Sequence, residues 1–199
     1  VSVSENGDFT AASDTKAYTI RQREVVISGI TAKGKVYDGT ADAELDYSKA
    51  VFAGAVKGDS LTVSAEGTFA DSNAAKGKTV TITKPVLGGG SAGDYILADN
   101  GQQTSTTADI SPKEITVTAG NKNKIAGKAD PVLTYTAKGL VGKDTLSGIT
   151  VRRKAGEKAG IYPITVSQAS GSNPNYRITF RKGIFTIEQA DQSKLSGKA

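Results

Sequence analysis

The chain has 199 residues, with 25 Lys or Arg against 20 Asp or Glu, and a formal net charge of +5. It contains no Cys, His, Met or Trp. That composition excludes disulfide frameworks, Cys/His zinc sites, thiol nucleophiles and any Ser-His-Asp triad. An enzyme would have to work with Asp, Glu, Lys, Tyr or Ser alone, so we predict no enzyme, no catalytic residue, no cofactor and no metal.

The first residue and the composition bear on where the protein acts. The chain begins with Val1 rather than Met, so we expect an excised or processed piece, and any signal peptide lies outside it. No apolar run approaches the roughly 18 residues that a membrane span needs, so we predict no membrane insertion. A chain without Cys suits an extracellular location.

Short apolar runs with a spacing of two residues recur along the whole chain, separated by turns rich in Gly, Asn, Asp and Ser. They lie at residues 25–27, 61–63, 80–82, 115–117, 164–166 and 185–187. This alternation is typical of half-buried strands, and many short strands indicate a sandwich-like architecture. The sequence therefore predicts an all-β protein with little or no helix, and at most a short helical turn over residues 41–49.

Internal repetition divides the chain. Residues 54–61 (GAVKGDSL) align with residues 139–146 (GLVGKDTL) at an offset of 85. Tyr95 aligns with Tyr176 at an offset of 81, and Ile110 with Ile187 at an offset of 77. Because the offset drifts in one direction, we infer two related modules with small deletions in the second.

We predict a first module over residues 28–112 and a second module over residues 113–190. Residues 1–27 are then a lead-in strand or the tail of a preceding module, and residues 191–199 a tail or the start of a next module. The joint at residues 110–115 is short and has one Pro, unlike a flexible linker. We expect two sandwich-like modules, each with its own core, stacked end to end as a semi-rigid rod.

The first module resembles the YDG domain of large bacterial surface and secreted proteins. The resemblance rests on KVYDGT at residues 35–40, with further matching steps at residues 58–59, 67–73, 77–80, 92–95 and 107–112. The second module resembles the mostly-β, glycine-rich MBG domain. Its matching steps are residues 115–119, 129–135, 139–141, 159–164, 175–178 and 183–187, and it departs from that pattern at residues 125–127, which are Ile-Ala-Gly.

Such domains occur in tandem inside filamentous-haemagglutinin-like adhesins, often exported by two-partner secretion. The resemblance implies a place in the stalk of a cell-surface or secreted adhesin involved in attachment and biofilm formation. It implies neighbouring repeat modules of the same chain as partners, a monomeric fragment, and no active site.

Three local motifs have a structural and a functional interpretation. Asp38-Gly39 suits a tight turn, because Gly accepts positive φ. Residues 57–59 (Lys-Gly-Asp) resemble an integrin-type tripeptide, but ordinary turn chemistry explains them better. Tyr95 and Tyr176 each precede an alternating strand, which favours a ring packed in the core with its hydroxyl at the rim. A tyrosine anchored at a sandwich corner is the alternative.

Three acidic residues at alternate positions, Asp42, Glu44 and Asp46, form what we call the acidic stripe. Period-2 spacing would put them on one face of a strand. Calcium needs several oxygen ligands converging from different segments, and one stripe supplies too few. We therefore predict a solvated face here.

Charge differs between the modules. The first has 7 basic and 10 acidic residues, net −3, whereas the second has 13 basic and 5 acidic residues, net +8. Candidate polyanion-binding residues in the second module are Arg152, Arg153, Lys154, Lys158, Arg177, Arg181 and Lys182. Alternation with Ile178 and Phe180, both expected to be buried, puts Arg177 and Arg181 on the outer face.

Two function hypotheses follow. The favoured one is a non-catalytic adhesin segment that spaces or presents other domains. The alternative is a module that binds a glycan or anionic polymer through the basic face of the second module. Sequence-specific nucleic-acid recognition is not expected, because the chain has no recognition motif.

Overall fold

The computed structural model describes residues 16–190. These residues form strands joined by turns, with a single 3-10 turn at Ala92–Asp94 and no α-helix. The predicted all-β class is confirmed. Over the same range, no helix has the length and hydrophobicity needed to cross a bilayer.

Ten strands lie between Arg23 and Ser111. They are β1 (Arg23–Ser28), β2 (Thr31–Ala32), β3 (Lys35–Val36), β4 (Asp42–Ala43), β5 (Leu45–Asp46), β6 (Val51–Ala53), β7 (Thr62–Phe69), β8 (Ala75–Gly88), β9 (Tyr95–Leu97) and β10 (Ser105–Ser111). The predicted lead-in segment, residues 1–27, thus includes most of β1, which pairs with β6 and β9 of the first module.

Seven strands lie between Lys113 and Glu188. They are β11 (Lys113–Ala119), β12 (Lys122–Ile125), β13 (Tyr135–Lys138), β14 (Ile149–Arg153), β15 (Gly160–Gln168), β16 (Tyr176–Arg181) and β17 (Gly183–Glu188). The predicted tail over residues 191–199 lies outside the described residues.

The two modules have the same sheet topology. The first has a sheet in the order β6-β1-β9 and a second sheet in the order β3-β10-β8-β7-β4, and the second module has β13-β11-β16 and β12-β17-β15-β14. Strand directions agree as well: β1·β9 and β11·β16 are parallel, as are β3·β10 and β12·β17. The repeat found in the sequence is therefore confirmed, with β4 and the small β2·β5 pair as additions to the first module.

In each module, the first and last long strands lie inside a sheet rather than at its edge. Strand β1 lies between β6 and β9, and β10 lies between β3 and β8. Strand β11 lies between β13 and β16, and β17 between β12 and β15. The chain therefore enters and leaves each module through a strand that is paired on both sides.

The predicted runs form the core because their alternate side chains point to one face. Val25 and Ile27, Ile115 and Val117, and Phe185 with Ile187 are all buried at both ends of their runs. All six runs lie in strands, although the second begins one residue before β7.

Two local details differ from what the sequence allowed or predicted. Residues 41–49 form β4, β5 and a turn instead of a helical turn. The Asp46 carboxylate accepts the Ser48 N–H at 2.9 Å, a local bond that competes with helix. Phe180 is 36% exposed rather than buried, and it lies on β16, an edge strand of its sheet.

The two modules do not have separate cores. All of their buried apolar side chains except Val25 and Tyr95 belong to one hydrophobic cluster, which includes residues of both modules. The cores meet at the joint, where Tyr37 and Tyr176 are in contact.

Candidate functional site

A buried tyrosine fastens one turn in the first module. Tyr95 begins β9, and its hydroxyl accepts the Val56 N–H at 2.9 Å and donates to the Asp59 carboxylate. The Asp59 N–H in turn donates to the Val56 carbonyl at 3.2 Å, which closes residues 56–59 as a turn. The turn predicted for residues 57–59 is confirmed, and the bond to Asp59 raises the pKa of Tyr95.

The second module contains the same arrangement. Tyr176 begins β16, and its hydroxyl accepts the Val141 N–H at 3.0 Å and donates to the Asp144 carboxylate at 2.5 Å. The Asp144 N–H donates to the Val141 carbonyl at 2.9 Å. Burial, together with the bond to Asp144, raises the pKa of Tyr176 to about 12. Each tyrosine thus packs its ring in the core and bonds a distant loop with its hydroxyl, as the favoured prediction has it, whereas a corner tyrosine bonds backbone only a few residues upstream.

A third tyrosine joins the modules at this point. The Tyr37 hydroxyl donates to the same Asp144 oxygen at 2.9 Å, and the Tyr37 ring meets Tyr176 edge-on with centroids 5.5 Å apart. Bonds from the Tyr176 and Tyr37 hydroxyls lower the pKa of Asp144. Asp144 is therefore ionised at neutral pH and accepts one hydroxyl from each module.

The turn after Tyr37 makes the close approach possible. Gly39 has φ of 83°, and the Asp38 carboxylate accepts the Thr40 N–H at 2.8 Å, so the predicted tight turn is confirmed. A Cβ added at Gly39 would lie 3.1 Å from a methyl carbon of Val141. Gly39 thus supplies both the positive φ and the space against the second module.

Asn175 makes a second set of bonds across the joint. Its side-chain carbonyl accepts the Ala74 N–H at 2.8 Å, and its amide donates to the Asn73 side chain at 3.0 Å. Only Pro112 separates β10 from β11. The joint is thus short, apolar at its centre and hydrogen-bonded on two sides.

A polar cavity of about 440 Å³ lies beside the joint. Its lining residues are Tyr37, Lys143, Asp144, Thr145, Ser147, Asn173, Pro174, Asn175 and Tyr176. The Asn173 side chain bonds both the Ser147 N–H at 2.9 Å and the Ser147 carbonyl at 3.0 Å. The rings of Tyr37 and Tyr176 are buried, so the cavity offers no exposed aromatic face on which a sugar ring could stack. The side-chain amides of Asn173 and Asn175 already bond other groups of the protein.

The candidate polyanion-binding residues are divided between two sheets. Arg152 and Arg153 lie on β14, Arg177 and Arg181 on β16, and Lys154, Lys158 and Lys182 on the segments that follow those strands or join them to the next. Arg177 and Arg181 are exposed as expected, with the Arg177 side chain 79% exposed and 3.9 Å from Glu114. Arg152, Lys154, Lys158 and Lys182 are exposed too.

Arg153 points the other way, into an ion-pair cluster that sequence analysis missed. It pairs with Asp130 and with Glu157 at 2.6 Å, and its guanidinium carbon lies 4.8 Å from the Phe185 ring centre. Buried Lys124 pairs with the same two carboxylates, at 2.7 Å to Asp130 and 2.5 Å to Glu157. The i,i+4 spacing of Arg153 and Glu157 was the only signal in the sequence.

The cluster brings an amine against two carboxylates but does not favour condensation. Amide formation between Lys124 and Asp130 needs a neutral amine and a protonated carboxyl group. Arg153 and then Lys124 lower the pKa of Asp130 to about 2, and the bonds to Asp130 and Glu157 raise the pKa of Lys124. Both groups are therefore charged at neutral pH, and the cluster acts as a set of ion pairs.

The acidic stripe is used locally. Glu44 pairs with Lys33, and Asp46 bonds the turn at Ser48. Across residues 16–190, no group of three or more Asp or Glu side chains is arranged to hold a metal ion.

The chain contains two topologically equivalent β modules, and side-chain hydrogen bonds connect them at the joint. This arrangement defines a protein built from tandem β repeats. Comparison with known families gives the modules their names. Residues 21–107 match the YDG domain, and residues 115–186 match the MBG domain (YGX type), so the chain carries these two domains in tandem. Neither domain is known as a catalytic family. No curated protein matches the chain.

Proposed function

We propose that this chain is a non-catalytic repeat segment of a bacterial cell-surface or secreted adhesin, acting in the stalk as a spacer or presenting module. The YDG and MBG domains in tandem support a non-enzymatic repeat role. The joint supports the spacer role most strongly, because a chain that only tethered its domains would need no bonds between them.

The bonds at the joint restrict both bending and rotation. The Tyr37–Asp144 hydrogen bond connects the modules at one place, and the hydrogen bonds of Asn175 with Asn73 and Ala74 connect them at a second place. With a one-residue link as a third connection, the modules are held at several points rather than one. A spacer so built keeps its length and orientation, which a flexible linker does not.

Small-angle scattering tests this proposal. A single compact globule of 199 residues has a radius of gyration of roughly 16 Å, whereas two touching globules of about 100 residues each have roughly 21 Å. We expect the larger value and a profile that one rigid arrangement fits. A variant with a flexible Gly-Ser insertion between Pro112 and Lys113 is the matched control. Its scattering profile should be fitted only by an ensemble of different relative orientations of the two modules. A native profile as heterogeneous as that of the insertion variant would contradict the spacer function.

The alternative function is binding of an anionic glycan or polymer by the second module. It is favoured by the net charge of +8 on that module and by the exposure of Arg152, Arg177 and Arg181. Arg153 does not support this binding function, because its guanidinium group is paired with Asp130 and Glu157.

Binding to a panel of anionic and neutral glycans separates the two functions. If the second module binds by charge, Arg177→Glu with Arg181→Glu should abolish binding, and raising salt from 0.1 M to 1 M should do the same as the screening length falls from about 10 Å to about 3 Å. Lys57→Glu with Lys76→Glu is the control, since both lysines are exposed in the first module. Salt-insensitive binding, or binding that survives the double arginine change, would contradict the electrostatic function.

A further inference from the structure

We propose that the end of the first module formed by Val56, Asp59 and Tyr95 is a docking surface for a preceding β module, whose own tyrosine donates its hydroxyl to Asp59. This inference rests on the proposed role as one segment of a longer repeat array. It adds the surface, the residues and the chemistry by which the array continues.

The two modules carry equivalent surfaces. Val56, Asp59 and Tyr95 make the same three bonds as Val141, Asp144 and Tyr176. In the second module this surface is covered by the first module, and Val141 and Asp144 are partly buried. In the first module Val56 is 50% exposed and Asp59 is exposed, and within residues 16–190 Asp59 receives only the Tyr95 hydroxyl.

Residues 18–22, Tyr-Thr-Ile-Arg-Gln, resemble the last strand of a module. They match residues 185–189, Phe-Thr-Ile-Glu-Gln, at three of five positions, with an aromatic residue opening both. Phe185 and Ile187 are buried in β17, the last strand of the second module, whereas Tyr18 is 85% and Ile20 is 96% exposed. Apolar side chains with strand spacing that are left exposed offer a face that the sheet of a preceding module would cover.

The position of this segment agrees with the docking surface. Ile20 stands three residues before Arg23, the start of β1, just as buried Ile110 stands three residues before Lys113, the start of β11. The Gln22 side chain donates to the Gly93 carbonyl at 2.9 Å, in the turn that leads into Tyr95. The last strand of a preceding module would therefore end beside the exposed Asp59 surface.

The chemistry of the occupant follows from the joint that is present. Tyr37 and Ala126 occupy equivalent positions, because their N–H groups donate to the Ser111 and Glu188 carbonyls, each at 2.8 Å, at the ends of equivalent strands. Only the tyrosine carries a hydroxyl for the acceptor on the next module. The preceding module must therefore present a tyrosine at this position, as the first module does and the second does not.

The test is a three-module chain. A second copy of residues 23–109 is inserted directly before Ile20, so that the copied module ends in the native Ile20-Arg21-Gln22 link and presents its own Tyr37 to Asp59. The copied Tyr37→Phe and the original Asp59→Asn are made singly and together, and the unfolding equilibrium constant is measured for each chain. We expect the two changes to be coupled by roughly fivefold or more.

The copied Tyr47→Phe is the matched control, because the Tyr47 hydroxyl bonds only Ala65 within its own module. It should show no coupling to Asp59→Asn. Should the first chain fail to fold, a second version with copied residues 23–107 placed before Tyr18 keeps the aromatic residue of the native strand.

Additive effects of copied Tyr37→Phe and Asp59→Asn in a folded three-module chain would overturn the inference, as would scattering that shows a freely jointed extra module. The coupling between Tyr37→Phe and Asp144→Asn is also measured in the native chain. It distinguishes failure of the docking surface from failure of the spacer function. Coupling at the native joint without coupling at Asp59 contradicts the docking surface alone, whereas no coupling at either place contradicts both.

Discussion

Removal of one hydroxyl group, in Tyr37→Phe, should loosen the joint while leaving both modules folded. The ring still meets Tyr176, but the bond to the Asp144 carboxylate at 2.9 Å is lost. A hydrogen bond to a charged group contributes about 1.5–3 kcal/mol, and we expect the lower end because Asp144 keeps the Tyr176 hydroxyl. For a chain of this size, about 1.5 kcal/mol lowers the melting temperature by about 3–6 °C.

Amide hydrogen exchange locates the effect. The Ala74 N–H donates to Asn175 across the joint at 2.8 Å, so its exchange reports opening of the joint. A destabilisation of about 1.4 kcal/mol is a tenfold change in an opening equilibrium, and we expect the Ala74 amide to exchange about tenfold faster in Tyr37→Phe.

The control is Tyr47→Phe, which removes a hydroxyl that bonds the Ala65 N–H at 2.8 Å and carbonyl at 2.9 Å inside the first module. It should lower stability without a selective effect on Ala74. Unchanged exchange at Ala74 in Tyr37→Phe, or equal acceleration in both variants, would refute the assignment of Tyr37 to the joint.

Three further outcomes are expected. Asp130 has a pKa of about 2 in the folded protein, below its ordinary 3.8, so the stability it contributes is complete above pH 3.8 and is lost as the pH falls toward 2. Asp130→Asn should therefore reduce the dependence of the free energy of unfolding on pH in this range, measured by denaturant unfolding. An unchanged pH dependence would contradict the ion-pair cluster. The intact mass should equal the sequence mass, because the charged Lys124 and Asp130 do not condense, and a chain lighter by one water that maps to this pair would show that they do. Melting temperature should not respond to calcium or to a chelator, and a shift that depends on the acidic stripe would show that it binds the ion after all.

The strands and the repeat could be predicted from sequence because both rest on local spacing. Alternation at Ile115-Thr116-Val117 or Phe185-Thr186-Ile187 needs no knowledge of the partner strand, since one face must be buried wherever the strand pairs. The joint could not be predicted in this way. Tyr37 was visible as part of a turn motif, but its hydroxyl acts on Asp144, 107 residues away, and nothing local indicates that contact.

The errors have similar causes. Arg153 belongs to a run of basic residues and is therefore a candidate polyanion-binding residue by sequence, but the sheet alternation turns it toward Phe185 and Asp130. Lys124 is buried beside exposed Ile125, the reverse of what hydropathy predicts, because two carboxylates from other segments neutralise it. Tyr95 and Tyr176 were the best clue available, since each recurs with a Val-x-x-Asp loop at a nearly constant distance.

The central position of β1, β10, β11 and β17 within their sheets has a mechanical consequence. If the chain is pulled from its two ends, as the proposed spacer function implies, the load enters and leaves each module through these strands. An edge strand can be peeled away one hydrogen bond at a time, whereas a strand paired on both sides must break two ladders together. Strand β11 is held by six consecutive residue pairs to parallel β16 and by four to antiparallel β13, so pulling it out of its sheet requires both ladders to break. We therefore expect each module to resist extension through its central strands rather than through its edge strands.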